Sequence, residues 1–296
     1  MVITFYTERP NGPNSYYKLH DMKTLTPLLL LLALFVSGCG GDTNEMAMDQ
    51  GGVEEEHPDE LIGSGNPSND DIRLTDFPAS TEFPDASIDN WTFDAGTFDY
   101  EVSNYEFGVQ TPDAEEIMCA NSAKGQHVHL IVDNEPYIAK YEPTFEHVLS
   151  NGQHYILSFL SRSYHESIKT PAAHRAVLAN VMNGGFNEPT DITEPMLFYS
   201  RPKGTYVGER ETEQVMLDFY PVNAELGEDY QVKANINGRE FMIDEWKPYF
   251  IEGLPLGENT VTLTLMAGDS IVDAPLNPVR RTFTLEALPA EQGDSK

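Results

Sequence analysis

Six of the eight histidines in this 296-residue chain, His127, His129, His147, His154, His165 and His174, crowd into one stretch near its middle. Imidazole exchanges a proton near neutral pH and, when neutral, ligates borderline metals such as zinc and copper. The closest spacing is His127-Val128-His129, inside the run His127 to Val132. Strand alternation turns both imidazoles to one face and Val128, Leu130 and Val132 to the other. An adjacent strand carrying His154 would add a third, so His127, His129 and His154 form the candidate set for a copper or zinc ion. The ligand order differs from that of blue-copper proteins, in which a cysteine near the chain end is followed closely by a histidine and a methionine. Structural histidines, solvated or hydrogen-bonded, are the competing reading of the same residues.

A second group is basic. Ser161-Arg162-Ser163-Tyr164-His165-Glu166-Ser167-Ile168-Lys169 directly follows one expected strand, and Tyr199-Ser200-Arg201-Pro202-Lys203-Gly204-Thr205-Tyr206 closes the same half of the chain. Both segments join cationic heads to hydroxyls in a turn, a combination that holds a carboxylate or phosphate by charge-assisted bonds. Arg162, His165, Lys169, Arg201 and Lys203 are therefore the candidate anion-binding residues. Pairing of Arg162 and Arg201 with neighbouring acids such as Glu166, which would only fix loops, is the alternative. No Gly-x-Ser-x-Gly, His-Glu-x-x-His, phosphate-cradling loop or dinucleotide fingerprint occurs. No catalytic residue is assigned, and the chain is not expected to be an enzyme.

The elements that must position these groups read as short strands. Tyr105 to Val109, His127 to Val132, Tyr155 to Leu160, Val215 to Tyr220, Tyr230 to Ile236, Thr260 to Leu265 and Arg281 to Leu285 carry the apolar and aromatic alternation. Asp133-Asn134, Asn151-Gly152, Asn237-Gly238 and Gly268-Asp269 supply turns. Thr170-Pro171 followed by Ala172 to Met182 fits a short helix, with Val177, Leu178, Val181 and Met182 on one face, and also fits a strand through Val177 and Val181.

An internal repeat organises the strands. His127-Val128-His129-Leu130-Ile131-Val132-Asp133-Asn134 aligns with Gln231-Val232-Lys233-Ala234-Asn235-Ile236-Asn237-Gly238 at an offset of 104. One residue further on, Tyr141-x-Pro143-x-Phe145 matches Trp246-x-Pro248-x-Phe250, and the lead into Tyr155 to Leu160 matches the lead into Thr260 to Leu265. Two similar β-domains follow from that period: an all-β chain of two tandem immunoglobulin-like β-sandwiches, at 90–206 and 207–289, with a tail at 290–296. The second copy carries no histidine. What the copies do not share should therefore mark where anything is recognised.

With 48 acidic against 18 basic residues, the formal charge is −30. That balance leaves little room for the clustered basic face that nucleic-acid phosphates require, so no nucleic-acid partner is expected. Two cysteines are too few for a disulfide scaffold or a four-cysteine zinc site. Between Gly40 and Asp89 lie fourteen Asp or Glu and a single Arg, so residues 39–89 are expected to be a disordered acidic tether. Upstream, Lys23 precedes the apolar run Leu28 to Val36, too short for a membrane span of about 20 residues. Val36-Ser37-Gly38-Cys39 resembles the bacterial lipobox, which implies a lipidated Cys39 at the mature N-terminus, a signal peptide at 22–38, an over-extended start at 1–21 and attachment to a membrane of the cell envelope. Cys119 would then have no intrachain partner, and burial is its expected state.

The runs Gly125-Gln126-His127-Val128-His129-Leu130-Ile131-Val132-Asp133-Asn134-Glu135-Pro136-Tyr137, Phe159-Leu160-Ser161-Arg162-Ser163-Tyr164-His165-Glu166-Ser167 and Phe198-Tyr199-Ser200-Arg201-Pro202-Lys203-Gly204 resemble a family of bacterial lipoproteins labelled phosphopeptide-binding proteins. The similarity runs from about Tyr105 to Leu288. It implies non-catalytic binding of a phosphorylated or acidic peptide by the first domain. The Gly-Gln-His-Val-His strand is also similar to a histidine-rich domain of secreted bacterial proteins, over one hairpin. Three functions thus stand side by side: anion binding, divalent metal binding, and a purely structural surface module.

Overall fold

A computed structural model describes residues 69–289. The expected start at 1–21, signal at 22–38, lipidated Cys39, the earlier part of the tether and the tail at 290–296 lie outside the described residues. The described chain opens on β1 (Arg73–Asp76), which pairs antiparallel with a strand far downstream. It then builds a first sandwich. One sheet holds β2 (Ser87–Asp94), β3 (Thr97–Ser103) and β6 (Thr144–Glu146). The facing sheet runs in the order β5 (Ile138–Lys140), β4 (His127–Val132), β7 (Gly152–Ser161), β8 (His174–Met182), β9 (Gly185–Asp191). Alternate residues of each strand meet in the middle: Ile88, Phe93, Phe98 and Tyr100 against Val128, Leu130, Ile156, Leu160 and Val181. Each such side chain contributes about 1.5–3 kcal/mol by leaving water.

The second sandwich is assembled from both sides of the first. Its smaller sheet has the order β1, β15 (Tyr249–Glu252), β12 (Gln214–Val222), β10 (Met196–Arg201). The larger has the order β11 (Gly204–Val207), β18 (Val279–Glu286), β16 (Gly257–Ala267), β13 (Gln231–Ile236), β14 (Arg239–Ile243), with β17 (Ser270–Ile271) paired to β16. One helical turn, α1 (Glu209–Thr212), links β11 to β12. The chain therefore forms two tandem immunoglobulin-like β-sandwiches within one compact unit.

The repeat is visible atom by atom. In the first copy the Asp133 N–H donates to the Tyr155 carbonyl at 2.8 Å, and the Tyr155 N–H donates back to Asp133 Oδ1 at 2.9 Å. In the second, Asn237 N–H donates to the Thr260 carbonyl at 3.0 Å, and Thr260 N–H to Asn237 Oδ1 at 2.8 Å. Both turns use left-handed residues, Asp133 and Asn134 at φ 50° and 58°, Asn237 and Gly238 at 49° and 94°; the second closes a two-residue hairpin, while the first opens a longer connection to β5.

The copies differ in what covers their outer faces. On β13, Gln231, Lys233 and Asn235 point outward and stay partly exposed. On β4 the corresponding His127, His129 and Ile131 are buried, because the second sandwich packs over that face. A third apolar core fills the seam: Ile131, Tyr137, Leu157 and Phe159 from the first sandwich against Met196, Phe198, Tyr220 and Val222 from the second. Asn134 stitches the seam, donating to the Leu197 carbonyl and accepting from the Tyr199 N–H, both at 2.8 Å.

Several expectations change. Tyr105 to Val109 is not a strand: the Tyr105 hydroxyl donates to the His127 and Ser161 carbonyls, and Gly108 turns the chain at φ 75°. Residues 69–89 are structured rather than a tether, because Ile72, Ala86 and Ile88 supply enough apolar surface to be buried. The segment 196–206, expected to close the first sandwich, instead pairs within the second through β10 and β11. Ala172 to Met182 resolves as strand β8 after a 3-10 turn at Pro171–Ala173. Among the described residues no helix is long and apolar enough to cross a membrane.

Candidate functional site

β4 sets the site. Its antiparallel register with β7 places His127 opposite Ser161 and His129 opposite Phe159. The two imidazoles stand on the seam-facing side, alternating with core-facing Val128 and Leu130. Immediately after β7 the chain reverses: the Arg162 N–H donates to the Glu166 carbonyl, Ser161 bridges Ser167, and His165 takes a left-handed φ of 72°. That reversal folds the His165 ring back over the start of β4. His127 Nε2 then lies 2.9 Å from His129 Nε2 and 3.0 Å from His165 Nδ1, and all three nitrogens fall within 4.8 Å of one another.

The tautomer of His127 follows from its partners. Its Nδ1 sits 2.8 Å from the Gly125 carbonyl, which can only accept, so Nδ1 carries the proton and Nε2 carries a lone pair. Burial pushes the His127 pKa down to about 4, with Arg201 and Lys203 adding to the effect against the backbone bond to Gly125. Burial likewise holds His129 and His165 well below the ordinary imidazole value, with the neighbouring His127 ring, Arg201 and Lys203 acting on both in the same direction. Three neutral imidazoles with converging nitrogens result. Tyr137 stacks on His129 with ring centres 3.7 Å apart and 7° between planes, and Tyr141 lies against His127 at 4.8 Å. Ser200 Oγ, from the end of β10, is 3.5 Å from His129 Nδ1.

His154 is not part of this set. It pairs at the far end of β7, seven residues or about 23 Å of strand from Ser161. Its parity also turns it away from the seam. There it contacts Asp133 Oδ2 at 2.6 Å and Ser150, bracing a turn. The candidate metal set of the sequence is thus corrected to His127, His129 and His165.

The five basic candidates divide. Arg162 is buried and spent on protein partners: Nε and Nη2 donate to the Thr81 carbonyl, Nη1 donates to the Ser167 carbonyl, and Nη1 pairs with Glu166 at 3.4 Å. Lys169 donates to Ser167 Oγ and pairs with fully buried Asp218, each at 2.7 Å. His165, Arg201 and Lys203 instead gather around the imidazole cluster. Lys203 Nζ donates to the Tyr137 carbonyl at 2.8 Å and lies 3.8 Å from the centre of the Tyr137 ring. Burial lowers the Lys203 pKa to about 8, with Arg201 contributing. Cys119 is free and buried, its thiol pushed up to about 12 by burial.

The sequence places His165 among the anion-binding candidates and Tyr137 only within the run shared with the lipoprotein family, with no role at the site. The signal for His165 was present: a strand pairing antiparallel with His127 to Val132 must bring its own C-terminal loop to His127.

Fold and site together define a tandem β-sandwich protein with a buried three-imidazole cluster at the seam between its sandwiches. No family model and no curated protein matches the chain. Among solved structures it is similar to the fibronectin(III)-like modules of Clostridium thermocellum CbhA, at 12% identity and a TM-score of 0.25 over 73% of this chain and 94% of that one. It is also similar to SGBP-B of the Bacteroides ovatus mixed-linkage glucan utilization locus, in complex with a mixed-linkage heptasaccharide, at 11% identity and a TM-score of 0.21 over 74% of this chain and 71% of that one. The sandwich assignment stands on the strand pairing itself.

Proposed function

We propose that this chain is an envelope-anchored binding protein, attached through Cys39, whose seam holds a zinc or copper ion on His127, His129 and His165. The observation that carries the reading is the convergence of nitrogens from three imidazoles, two buried and one half-buried. His127 Nε2 has a single lone pair and two ring nitrogens within 3.0 Å. One lone pair makes one good bond with a proton, whereas a cation accepts a lone pair from each ring. Zinc at about 2.0–2.1 Å from each nitrogen would set them about 3.3 Å apart, a few tenths of an ångström from the two short contacts, while the third pair, within 4.8 Å, would draw in around the ion. The Gly125 carbonyl on Nδ1 is the outer partner that orients a metal-bound imidazole. Three nitrogen donors leave one tetrahedral position open.

The phosphopeptide reading is less well supported, because Arg162 and Lys169 are already satisfied by Thr81, Ser167, Glu166 and Asp218, and His127 and His129 are sealed from a ligand of peptide size.

Elemental analysis after dialysis against zinc or copper tests the proposal. A stoichiometric ion that disappears in His127→Ala and His165→Ala and persists in His154→Ala is the expected result. Absence of metal from the folded parent protein, or loss in His154→Ala equal to that in the other two, would overturn it.

A further inference from the structure

The seam carries a buried cation with unpaired donors. Arg201 is 5% exposed, and its Nε and Nη1 have no hydrogen-bond partner. Among the described residues neither Arg201 nor Lys203 belongs to a salt bridge, whereas Arg162 pairs with Glu166 and Lys169 with Asp218; Arg281, against the Tyr199 ring, also has two buried nitrogens without a partner. Two phenols flank the guanidinium, with its Cζ 5.4 Å from the Tyr206 ring and the Tyr137 phenol beside it; the carboxylate opposite it in the β10–β12 pair, Asp218, is already taken by Lys169. A buried guanidinium with two silent donors loses its hydration without replacement. It does so next to three imidazoles and half-buried Lys203, where a bare metal ion would add charge of the same sign.

An anion resolves both problems. We propose that the fourth position of the three-histidine centre takes a small oxyanion of the carboxylate or phosphate class, held jointly by the metal and by the unpaired donors of Arg201, with Lys203 at the rim. The inference rests on the metal reading above. Arg201 and Lys203 are contributed by β10 and the turn after it, in the second sandwich, whereas the imidazoles come from the first. The binding site is therefore complete only when the seam is closed. His165 and Lys203 are the half-buried members, so a small ion enters from their side and a bulky one is refused.

Linkage supplies the test, since metal and anion must raise each other's affinity by the same factor. The full chain is loaded with cobalt(II), whose visible absorption reports its coordination, and titrated with formate and with inorganic phosphate. Expected is a saturable spectral change in the parent protein, with the anion affinity weakened by about tenfold or more in Arg201→Gln. Lys203→Gln, at the half-buried rim, should weaken it less and decides the matter if Arg201→Gln does not fold. Bound cobalt with a spectrum indifferent to both anions would overturn the anion site and leave the metal reading standing. An anion response unchanged in both variants would remove Arg201 and Lys203 from it. Failure to bind cobalt at all would bring down the metal reading and this inference together.

Discussion

Buried imidazoles link this protein's stability to pH, and the sign follows from their neutrality. His127, held at about 4 in the fold, titrates near 6.5 when unfolded. On acidification the unfolded state takes up its proton first, so the contribution is intact above about pH 6.5 and is lost as pH falls toward 4. For His127 alone this amounts to about 2 kcal/mol by about pH 5. His129, His165 and His174 are shifted in the same direction. Glu166 opposes them, because burial raises its carboxyl and the fold binds that proton first, but the imidazoles outnumber it. Metal-free protein should therefore show a lower urea midpoint at about pH 5 than at about pH 7. A midpoint constant over that interval would mean the histidines are not buried as described.

At the scale of elements, the approach to β4 depends on Gly125. Its φ is +84°, and a Cβ built there meets the Val109 carbonyl oxygen at 2.5 Å and the Gly108 carbonyl carbon at 2.6 Å. The same residue's carbonyl fixes the His127 tautomer. Gly125→Ala should cost about 1–3 kcal/mol in denaturant unfolding and weaken metal retention. Gly96→Ala, at a similar φ with nothing within 4 Å, should cost less and leave metal binding unchanged. Turns that cap the two copies offer a paired comparison. Asp133→Ala and Asn237→Ala each remove the acceptor of a backbone N–H, which should cost about 1 kcal/mol, and Asp133→Ala should cost more because it also removes the partner of His154. Asn134→Ala should cost more, about 1–3 kcal/mol, because it strands the buried Tyr199 N–H and the Leu197 carbonyl at the seam.

For the whole molecule, the second sandwich brackets the first, with β1 before it and β10 to β18 after it. A fragment of residues 207–289 lacks β1, β10 and β11 and should give the circular dichroism of an unfolded chain, whereas 69–289 should fold. Because the seam core is shared, both sandwiches should melt in one calorimetric transition, and Phe198→Ala should lower its stability by about 3–5 kcal/mol. Two separate transitions would contradict the shared core. Strand periodicity, the Asp133-Asn134 and Asn237-Gly238 turns and the 104-residue offset were legible in the sequence, because alternation and turn chemistry are local properties of a few neighbouring residues. So was the asymmetry between His127, His129 and their counterparts Gln231 and Lys233. Which third imidazole joins them was not. Choosing His165 over His154 requires the β4–β7 register, and pairing Arg201 with that cluster while Arg162 is spent on Thr81 and Glu166 requires knowing which sheet β10 enters. The burial of β4 on both faces was equally hidden: one of its faces is closed by its own sandwich and the other only by the packing of its neighbour, a contact between distant residues that no local pattern encodes.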